Sequence, residues 1–338
     1  MYRPRFQISA DLLRLLTQAA ELKTWIGQAV IDVPWLPALQ RDTATRLAHS
    51  STAIEGNPLA LPEVEALARG ESAGRPDHAA LEVTNYLKAM RWIWSRKAGA
   101  VITEKDLLHL HGLLTLRALP PESAGRYKTK ANRVVDSKGI TVFSPPGPDQ
   151  ARTLTNGLLS WINGPQARGL HPVIVSAVAH HRLVSIHPFA DGNGRIARAL
   201  GVWLLFVRGF DTEHLFALDE YFEADRKLYY DKLQQARDLD GDLSFWLEYA
   251  AESVVETLKK TRERILSLKV SAKAPMRLTK RQEDVLRFLR DKGRAAAPDI
   301  EAAFRLSRAR VGQIVKPLVD AGLVIREGRT RATTYRLA

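Results

Sequence analysis

The sequence predicts a mainly helical protein with one β-hairpin inside a helical core and a small mixed α and β domain after it. Apolar residues recur at helical spacing on both sides of a glycine-rich motif at 187–198. Short β-branched runs flank a turn at 136–139, and the last fifth of the chain is strongly basic and follows a proline-containing linker at 270–275. The predicted domains are an N-terminal helical region at 1–75, a core at 76–270 and a C-terminal domain at 276–338.

The composition excludes several classes of protein. Its 338 residues are enough for more than one hydrophobic core, and the absence of cysteine excludes disulfide bonds, thiolate catalysis and zinc–sulfur sites from this sequence. No apolar run reaches membrane-spanning length, and no apolar leader segment follows Met1. We therefore expect a cytoplasmic protein with no membrane partner. His109, His111, His180 and His181 lack metal-ligand spacing and are expected to be structural.

Three helices and a hairpin are predicted within residues 36–143. A helix that starts near Leu36 ends with Ser51 and Glu55 on one face and Gly56 as a C-cap; by itself, Glu55 is typical of a solvated residue. Apolar spacing predicts two more helices, at 82–94 and 104–116. The strands of the hairpin contain Val134, Val135, Ile140, Thr141, Val142 and Phe143.

The central motif holds the densest chemistry of the chain. Residues 187–198 read His187-Pro188-Phe189-Ala190-Asp191-Gly192-Asn193-Gly194-Arg195-Ile196-Ala197-Arg198. Pro188 ends a helix predicted at 173–186, and the glycines turn the backbone before a second helix at 196–206. A glycine-rich turn that leads into a helix N-terminus is suited to an anion. It is not a Walker P-loop, because it lacks the Gly-Lys-Ser/Thr end and a helix precedes it.

The side chains of this motif indicate roles in phosphate chemistry. His187 is a candidate general base, and Asp191 is a hard oxygen ligand suited to Mg²⁺. Arg195 and Arg198 can reach different phosphates from the first turn of the helix. Together these groups indicate transfer from a nucleoside triphosphate to a hydroxyl group. The alternative is a helix–turn–helix connection that carries an incidental histidine.

The motif resembles the signature of the Fic family, His-x-Phe-x-Asp/Glu-Gly-Asn-Gly-Arg-x-x-Arg, at every defining position. The resemblance implies transfer of AMP from ATP, the substrate, to a Ser, Thr or Tyr hydroxyl of a protein, with release of pyrophosphate. It implies that His187 is the base, that Asp191 binds Mg²⁺ or Mn²⁺, and that Phe189 anchors the loop. By the same resemblance the phosphates are held by Gly192, Asn193, Gly194, Arg195 (β-phosphate region) and Arg198 (γ-phosphate).

An upstream segment resembles an inhibitory motif of the same family. Ser51 and Glu55 match Ser/Thr-x-x-x-Glu-Gly/Asn, found in the subclass whose inhibitory helix precedes the core. The resemblance implies that Glu55 pairs with Arg198 and misaligns ATP. In some members the same glutamate helps water to remove AMP from a modified target, so the reverse activity stays an alternative.

Two other segments resemble parts of the family core. The hairpin at 134–143 resembles the flap whose edge pairs with the backbone of the target protein; the alternative is a surface hairpin without a partner. Residues 223–233 resemble the helix that helps close the nucleotide site. Tyr229 or Tyr230 could lie against the adenine, although by spacing both could equally belong to the core.

The C-terminal domain is predicted to be a winged helix-turn-helix. Residues 271–338 contain 16 Lys and Arg against 7 Asp and Glu, which is most of the formal net charge of +13. Three helices at 280–291, 298–304 and 307–321 precede a hairpin around Glu327-Gly328. The candidate DNA contacts are Arg308, Arg310, Gln313 and Lys316 on the third helix and Arg329 and Arg331 on the wing. Such domains also dock proteins, so DNA is one of two interpretations.

These observations give a leading function and two alternatives. The leading function is an autoinhibited protein adenylyltransferase with an attached winged-helix domain. One alternative is a DNA-binding regulator whose Fic core senses nucleotide or modifies itself, and the other is an enzyme that removes AMP with the help of Glu55. The sequence leaves the target protein and the oligomeric state open, a homodimer included.

Overall fold

A computed structural model describes residues 2–30, 35–71, 78–135, 139–271, 279–320, 323–328 and 333–337. The described part of the chain is mainly helical, which confirms the predicted fold class. The helices are α1 (Ala10–Ala29), α2 (Leu36–Ile54), α3 (Leu61–Ala68), α4 (His78–Trp94), α5 (Glu104–Leu114), α6 (Pro148–Asn163), α7 (Pro165–Arg168), α8 (Pro172–Ile186), α9 (Asn193–Val207), α10 (Asp219–Ala224), α11 (Arg226–Asp238), α12 (Ser244–Ser271), α13 (Lys280–Lys292), α14 (Ala297–Phe304) and α15 (Arg308–Asp320). The strands are β1 (Val134–Val135), β2 (Thr141–Phe143), β3 (Arg294–Ala296), β4 (Val324–Glu327) and β5 (Thr334–Leu337).

The chain forms two compact units, residues 1–262 and 263–338. The predicted boundary at residue 75 therefore does not separate two units. The reason is that α2 packs against α4, α9 and α10, so the N-terminal helices share one core with the rest of unit 1. Among the described residues, no helix has both the length and the apolar character needed to span a bilayer.

The central pair of unit 1 is α8 and α9, joined by the loop that contains His187. Both helices are buried on nearly all sides, as expected for helices that are apolar around their whole circumference. Trp203 of α9 and Trp246 of α12 are among the largest fully buried side chains. The loop between the two helices is therefore held at both ends by closely packed, buried helices.

Several helix ends differ from the predicted ones. Helix α4 begins at His78, four residues before the predicted start, and α5 ends at Leu114 rather than at residue 116. Helix α9 begins at Asn193 rather than at Ile196, because Gly192 in the left-handed conformation, with φ 76°, already serves as its N-cap. The glycine-rich segment from Asn193 onward is thus already the first turn of α9.

Unit 2 combines three helices with a three-stranded antiparallel sheet of order β3-β5-β4. Its core contains Val285 and Leu289 from α13, Ile300 from α14 and the apolar stripe of α15 predicted from spacing. Pro317 lies inside α15, which continues to Asp320. Most of the predicted linker at 270–275 lies outside the described residues.

Candidate active site

His187 closes α8 and is held as a neutral imidazole. Its backbone is left-handed, with φ 51°, because Pro188 disfavours a helical conformation at this position, and its N–H donates to Leu183 O at 3.0 Å. Nδ1 lies 3.2 Å from Val184 O, so Nδ1 carries the proton and Nε2 keeps its lone pair. Burial, with smaller effects from Lys128 and Arg237, lowers the pKa of His187 to about 4.

The loop after His187 is braced from within by Asn193. Its Oδ1 accepts from Phe189 N at 3.0 Å and its Nδ2 donates to Phe189 O at 2.9 Å. Asn193 is one of the residues predicted to hold the phosphates, and both polar atoms of its side chain are used inside the loop. Only the backbone of Asn193, at the first turn of α9, is placed for an anion.

His111 supports the same loop from α5. Its ring stacks on Phe189 with 3.8 Å between centroids, and its Nδ1 accepts from Gly125 N at 2.9 Å. The proton therefore lies on Nε2, which donates to Asp191 O at 3.0 Å. Burial lowers the pKa of His111 to about 4, so it stays neutral, in the structural role expected for it.

Phe189→Ala is expected to lower the free energy of unfolding by about 3 to 5 kcal/mol. The side chain is fully buried and stacks on both His111 and Tyr127, so its removal leaves a cavity under the loop. Chemical denaturation of the variant measures the loss. Phe245→Ala is the matched control, because Phe245 is 51% exposed. Equal losses in the two variants would contradict the anchoring role of Phe189.

Arg195 is buried and paired with an acidic residue that the motif does not contain. Its NH1 lies 2.6 Å from Glu82 Oε1, and its NH2 lies 3.6 Å from Asp191 Oδ2. Asn57 donates to the second oxygen of Glu82 at 3.0 Å, which fixes the carboxylate. Sequence reasoning missed Glu82, which stood only as the first residue of a predicted helix.

Asp191 presents its carboxylate to solvent, with the side chain 68% exposed. One of its oxygens accepts from Gly192 N at 2.6 Å. Among the described residues, no cluster of three acidic, histidine or cysteine side chains could form a metal site made of protein alone. A single exposed carboxylate beside a helix N-terminus instead suits Mg²⁺, which keeps waters and takes substrate phosphates as further ligands.

Arg198 is fully buried and bound to the end of α2. Its Nε donates to Ser51 Oγ at 2.9 Å, and its NH2 donates to Ser51 O at 2.7 Å and to Glu55 Oε1 at 2.8 Å. The side chain of Glu55 is 33% exposed. The structure thus brings together Ser51, Glu55 and Arg198.

The carboxylate of Glu55 lies against the first turn of α9. A Cβ atom added at Gly194 would collide with Glu55 Oε1, so only glycine leaves room for the carboxylate here. The N-terminal turn of a helix is where an anion is most favoured. Glu55 therefore places a negative charge against the N-terminal turn of α9.

A buried acid on the far side of Arg198 was also missed by sequence reasoning. Asp219 Oδ2 lies 3.8 Å from Arg198 Nε and accepts from the Tyr86 hydroxyl at 3.0 Å. Burial raises the pKa of Asp219 above its ordinary value, against the opposing effect of Arg198. No pattern in the sequence around residue 219 indicates this contact.

The two candidate adenine contacts lie in different environments. Tyr229 is fully buried, with its hydroxyl 2.9 Å from His180 Nε2, so the structure places it in the core. Tyr230 is 41% exposed and donates to Ile54 O at 3.3 Å, at the end of α2. Of the two, only Tyr230 has a surface that a nucleotide could contact.

The predicted hairpin is present but shorter than expected. Strand β1 pairs antiparallel with β2, and Val134 faces Phe143. Ile140 precedes β2 instead of belonging to it, and residues 136–138 of the predicted turn lie outside the described residues. Val135, Ile140 and Val142 are all exposed.

In unit 2, the candidate DNA contacts of α15 share its exposed face. Arg308, Arg310, Gln313 and Lys316 are exposed, whereas the intervening apolar residues of the helix are buried. Arg310 NH1 donates to Gln313 Oε1 at 2.9 Å. The two wing candidates, Arg329 and Arg331, lie outside the described residues.

Comparison with known proteins identifies the segment around this loop. Residues 101–205 match the model of the Fic/DOC family. The chain is 32% identical over 214 residues to a protein named protein adenylyltransferase Fic from Aedes aegypti, and 31% identical over 215 residues to one of the same name from Nematostella vectensis. The matches cover 62% of this chain but only 40% and 47% of the lengths of those relatives.

Solved structures share the fold over a larger part of the chain. A crystal structure of a Fic family protein from Desulfovibrio desulfuricans superposes with a TM-score of 0.73 at 23% identity, over 100% of this chain and 98% of that one. Residues 134–508 of Fic-1 from C. elegans superpose with a TM-score of 0.64 at 25% identity, over 77% and 74% of the two chains. Residues 101–205 of this chain thus match the Fic/DOC family model, and a larger part of the chain shares the fold of these two structures.

Proposed function

We propose that this protein transfers AMP from ATP to a Ser, Thr or Tyr hydroxyl of a protein and that Glu55 holds it in an inhibited state. One observation carries the proposal: a single loop presents a neutral imidazole, the N-terminal turn of α9 and an exposed carboxylate. The adenylyltransferase names of the relatives support the same reaction.

In the proposed reaction, His187 Nε2 accepts the proton of the acceptor hydroxyl. The hydroxyl oxygen then forms a bond to the α-phosphorus of ATP, the bond from that phosphorus to the bridging oxygen breaks, and pyrophosphate leaves. His187 returns the proton to solvent. The first turn of α9 would bind the phosphates, and Asp191 would hold Mg²⁺ or Mn²⁺, which neutralises phosphate charge when bound.

Glu55 opposes this reaction by occupying the place of a phosphate. Its carboxylate takes a hydrogen bond from Arg198 and lies against Gly194. ATP can use Arg198 for its γ-phosphate only after this charge-assisted pair is broken. The hairpin β1–β2 would present the acceptor backbone to His187 by strand pairing.

Transfer of label from ATP tests the reaction directly. The full chain is incubated with Mg²⁺, a host lysate and ATP labelled on either the α- or the γ-phosphate. AMP transfer leaves the α-label on protein and releases the γ-label with pyrophosphate. Label from γ-ATP on protein would instead mean phosphoryl transfer and would contradict the proposal.

The rate of transfer is expected to stay constant with pH across the ordinary histidine range. Because burial lowers the pKa of His187 to about 4, Nε2 stays unprotonated as the pH falls through about 6.5, and the rate falls only below about pH 5. Initial rates of a Glu55→Gly variant from about pH 4.5 to about pH 8 measure this. A half-maximal rate near pH 6.5 would contradict the lowered pKa of His187.

The same burial makes the folded state less stable in acid, so circular dichroism is the control. Burial also lowers the pKa of His111 and of His181 to about 4, and the unfolded chain therefore binds more protons below about pH 6.5. The contribution of these neutral histidines to stability is present above that pH and is lost as the pH falls towards 4. Rates of transfer are therefore compared only at pH values where circular dichroism shows that the chain is folded.

A second function is supported by unit 2, whose element order and basic helix suit a winged helix-turn-helix. We infer that the exposed face of α15 binds duplex DNA, since its basic residues stand opposite the buried stripe. Binding of this kind relies on ion pairs with DNA phosphates, and its affinity falls with salt.

Arg308→Gln/Lys316→Gln in the full chain is expected to weaken binding to a duplex of about 30 base pairs and to reduce the salt slope by about 1 for each phosphate ion pair removed. Fluorescence anisotropy over a salt series measures both quantities. Arg281→Gln/Arg287→Gln removes the same charge from the exposed face of α13 and is the control. Equal slopes for the wild type and both variants would exclude α15 as the helix that binds DNA.

A further inference from the structure

A cavity of unit 1 lies beside the hairpin, and four of its fifteen lining residues are arginines. Its volume is about 600 Å³. The walls come from the N-terminal segment, from the end of β2, from α8 and from α11. The charged side chains that line it are Arg3, Arg5, Arg182, Arg237 and Asp240. We call this cavity the arginine pocket.

The positive charge of the arginine pocket is poorly compensated. Arg5 pairs with Asp240 at 2.9 Å, in an ion pair that is mostly exposed. Among the described residues, no carboxylate lies within 4.0 Å of the guanidinium groups of Arg3, Arg182 or Arg237. His181 also lines the cavity and adds no charge, since burial keeps it neutral.

Two of these arginines are held in place by contacts that leave their charge unpaired. The guanidinium of Arg182 lies 4.6 Å over the ring of Tyr2, and its Nε is buried without a hydrogen-bond partner among the described residues. The guanidinium of Arg237 lies 3.9 Å over the ring of Phe143, and its Nε donates to Ser185 Oγ at 3.2 Å. Fixed, partly desolvated guanidinium groups favour carboxylate or phosphate ligands.

The arginine pocket is lined by residues of two elements that also belong to the candidate active site, the hairpin and α8. Phe143 ends β2 of the hairpin, and Ser185 lies two residues before His187 on α8. A strand that pairs along β2 therefore reaches the pocket where β2 ends, and successive residues of such a strand advance by about 3.3 Å. With the acceptor hydroxyl at His187, the residues that flank it would lie towards the pocket.

We propose that the arginine pocket binds acidic residues of the protein acceptor, next to the hydroxyl that is modified. The inference rests on the proposed function for the identity of the acceptor, and on the charge and position of the pocket for its chemistry. It assigns to Arg3, Arg182 and Arg237 a selectivity that backbone pairing along the hairpin does not supply.

Peptide binding tests this proposal without any AMP transfer. The probes are two fluorescein-labelled heptapeptides with a central serine. In the acidic peptide the serine is flanked by glutamates, and in the other peptide it is flanked by glutamines. With the full chain carrying His187→Ala, at about 50 mM salt, the acidic peptide is expected to bind at least about tenfold more tightly. Because no reaction occurs, failure of the proposed function does not affect the result.

Arg3→Gln/Arg182→Gln is expected to reduce the affinity for the acidic peptide to that for the glutamine peptide, with an unchanged melting temperature. Arg3→Gln alone, at an exposed residue, gives a smaller loss and covers the case in which Arg182→Gln unfolds the chain. The control Arg41→Gln/Arg91→Gln removes the same charge from exposed helix positions outside the pocket.

Three results would overturn the proposal. The two peptides bind equally, or the control variant loses as much affinity as the pocket variant. In the third, millimolar inorganic phosphate binds at Arg182 and Arg3 but the acidic peptide does not bind. The pocket would then be a site for a small anion.

Discussion

Replacing His187 with alanine is expected to lower AMP transfer at least about 100-fold while ATP binding stays unchanged. The imidazole is neutral, its Nδ1 is fixed to Val184 O, and Nε2 is left to accept a proton. Alanine removes the base but leaves the glycine-rich turn and the arginines in place. Transfer is measured in a Glu55→Gly background, where the inhibitory carboxylate is absent, and ATP binding is measured by calorimetry.

His78→Ala is the control for this variant, since His78 is exposed at the start of α4. It is expected to leave transfer unchanged. If the His187→Ala chain still transferred AMP at a rate close to that of the control, another group would be the base. If it lost ATP binding as well, His187 would have a structural role in the loop.

Glu55→Gly is expected to raise AMP transfer by about 10- to 100-fold, which corresponds to release of one charge-assisted hydrogen bond of about 1.5 to 3 kcal/mol. The variant frees Arg198 NH2 and clears the space against Gly194. Arg198 does not collapse, because Ser51 holds it through two hydrogen bonds and Asp219 lies on its other side. Initial rates at saturating ATP give the increase.

The Glu55→Gln variant distinguishes the effect of the negative charge of Glu55 from the effect of the size of its side chain. The amide keeps the size of the side chain but removes its negative charge, so we expect a rate between those of the wild type and Glu55→Gly. Glu122→Gly, at an exposed residue, is the control for the substitution itself. A Glu55→Gly rate equal to that of the wild type would contradict the inhibitory role of Glu55.

The sequence predicts those parts of the site that are formed by neighbouring residues in the chain. The order of His187, Pro188 and the glycines predicts a helix end, a turn and a helix start, and the structure has them in that order. It did not predict that Gly192 would cap α9 so early or that the side chain of Asn193 would be used inside the loop. The position of the N-cap and the hydrogen bonds of Asn193 depend on the backbone dihedral angles of the loop. The local sequence is compatible with more than one set of these angles.

The partners of the arginines could not be predicted from local patterns. Glu82 contacts Arg195 and Asp219 approaches Arg198 across long sequence separations, through the packing of separate helices. A single carboxylate on a helix resembles any solvated residue until the tertiary contacts are known. Glu55 was found only because its surroundings resemble a family motif, and not from its own chemistry.

The measurement that tests the account most directly compares three proteins in one labelling experiment: wild type, Glu55→Gly and Glu55→Gly/His187→Ala. Each is incubated with α-labelled ATP, Mg²⁺ and a host lysate. We predict strong labelling of protein by Glu55→Gly, weak labelling by the wild type and none by the double variant. The absence of label in all three, with ATP binding intact, would contradict AMP transfer and would favour the reverse reaction or the DNA-binding function.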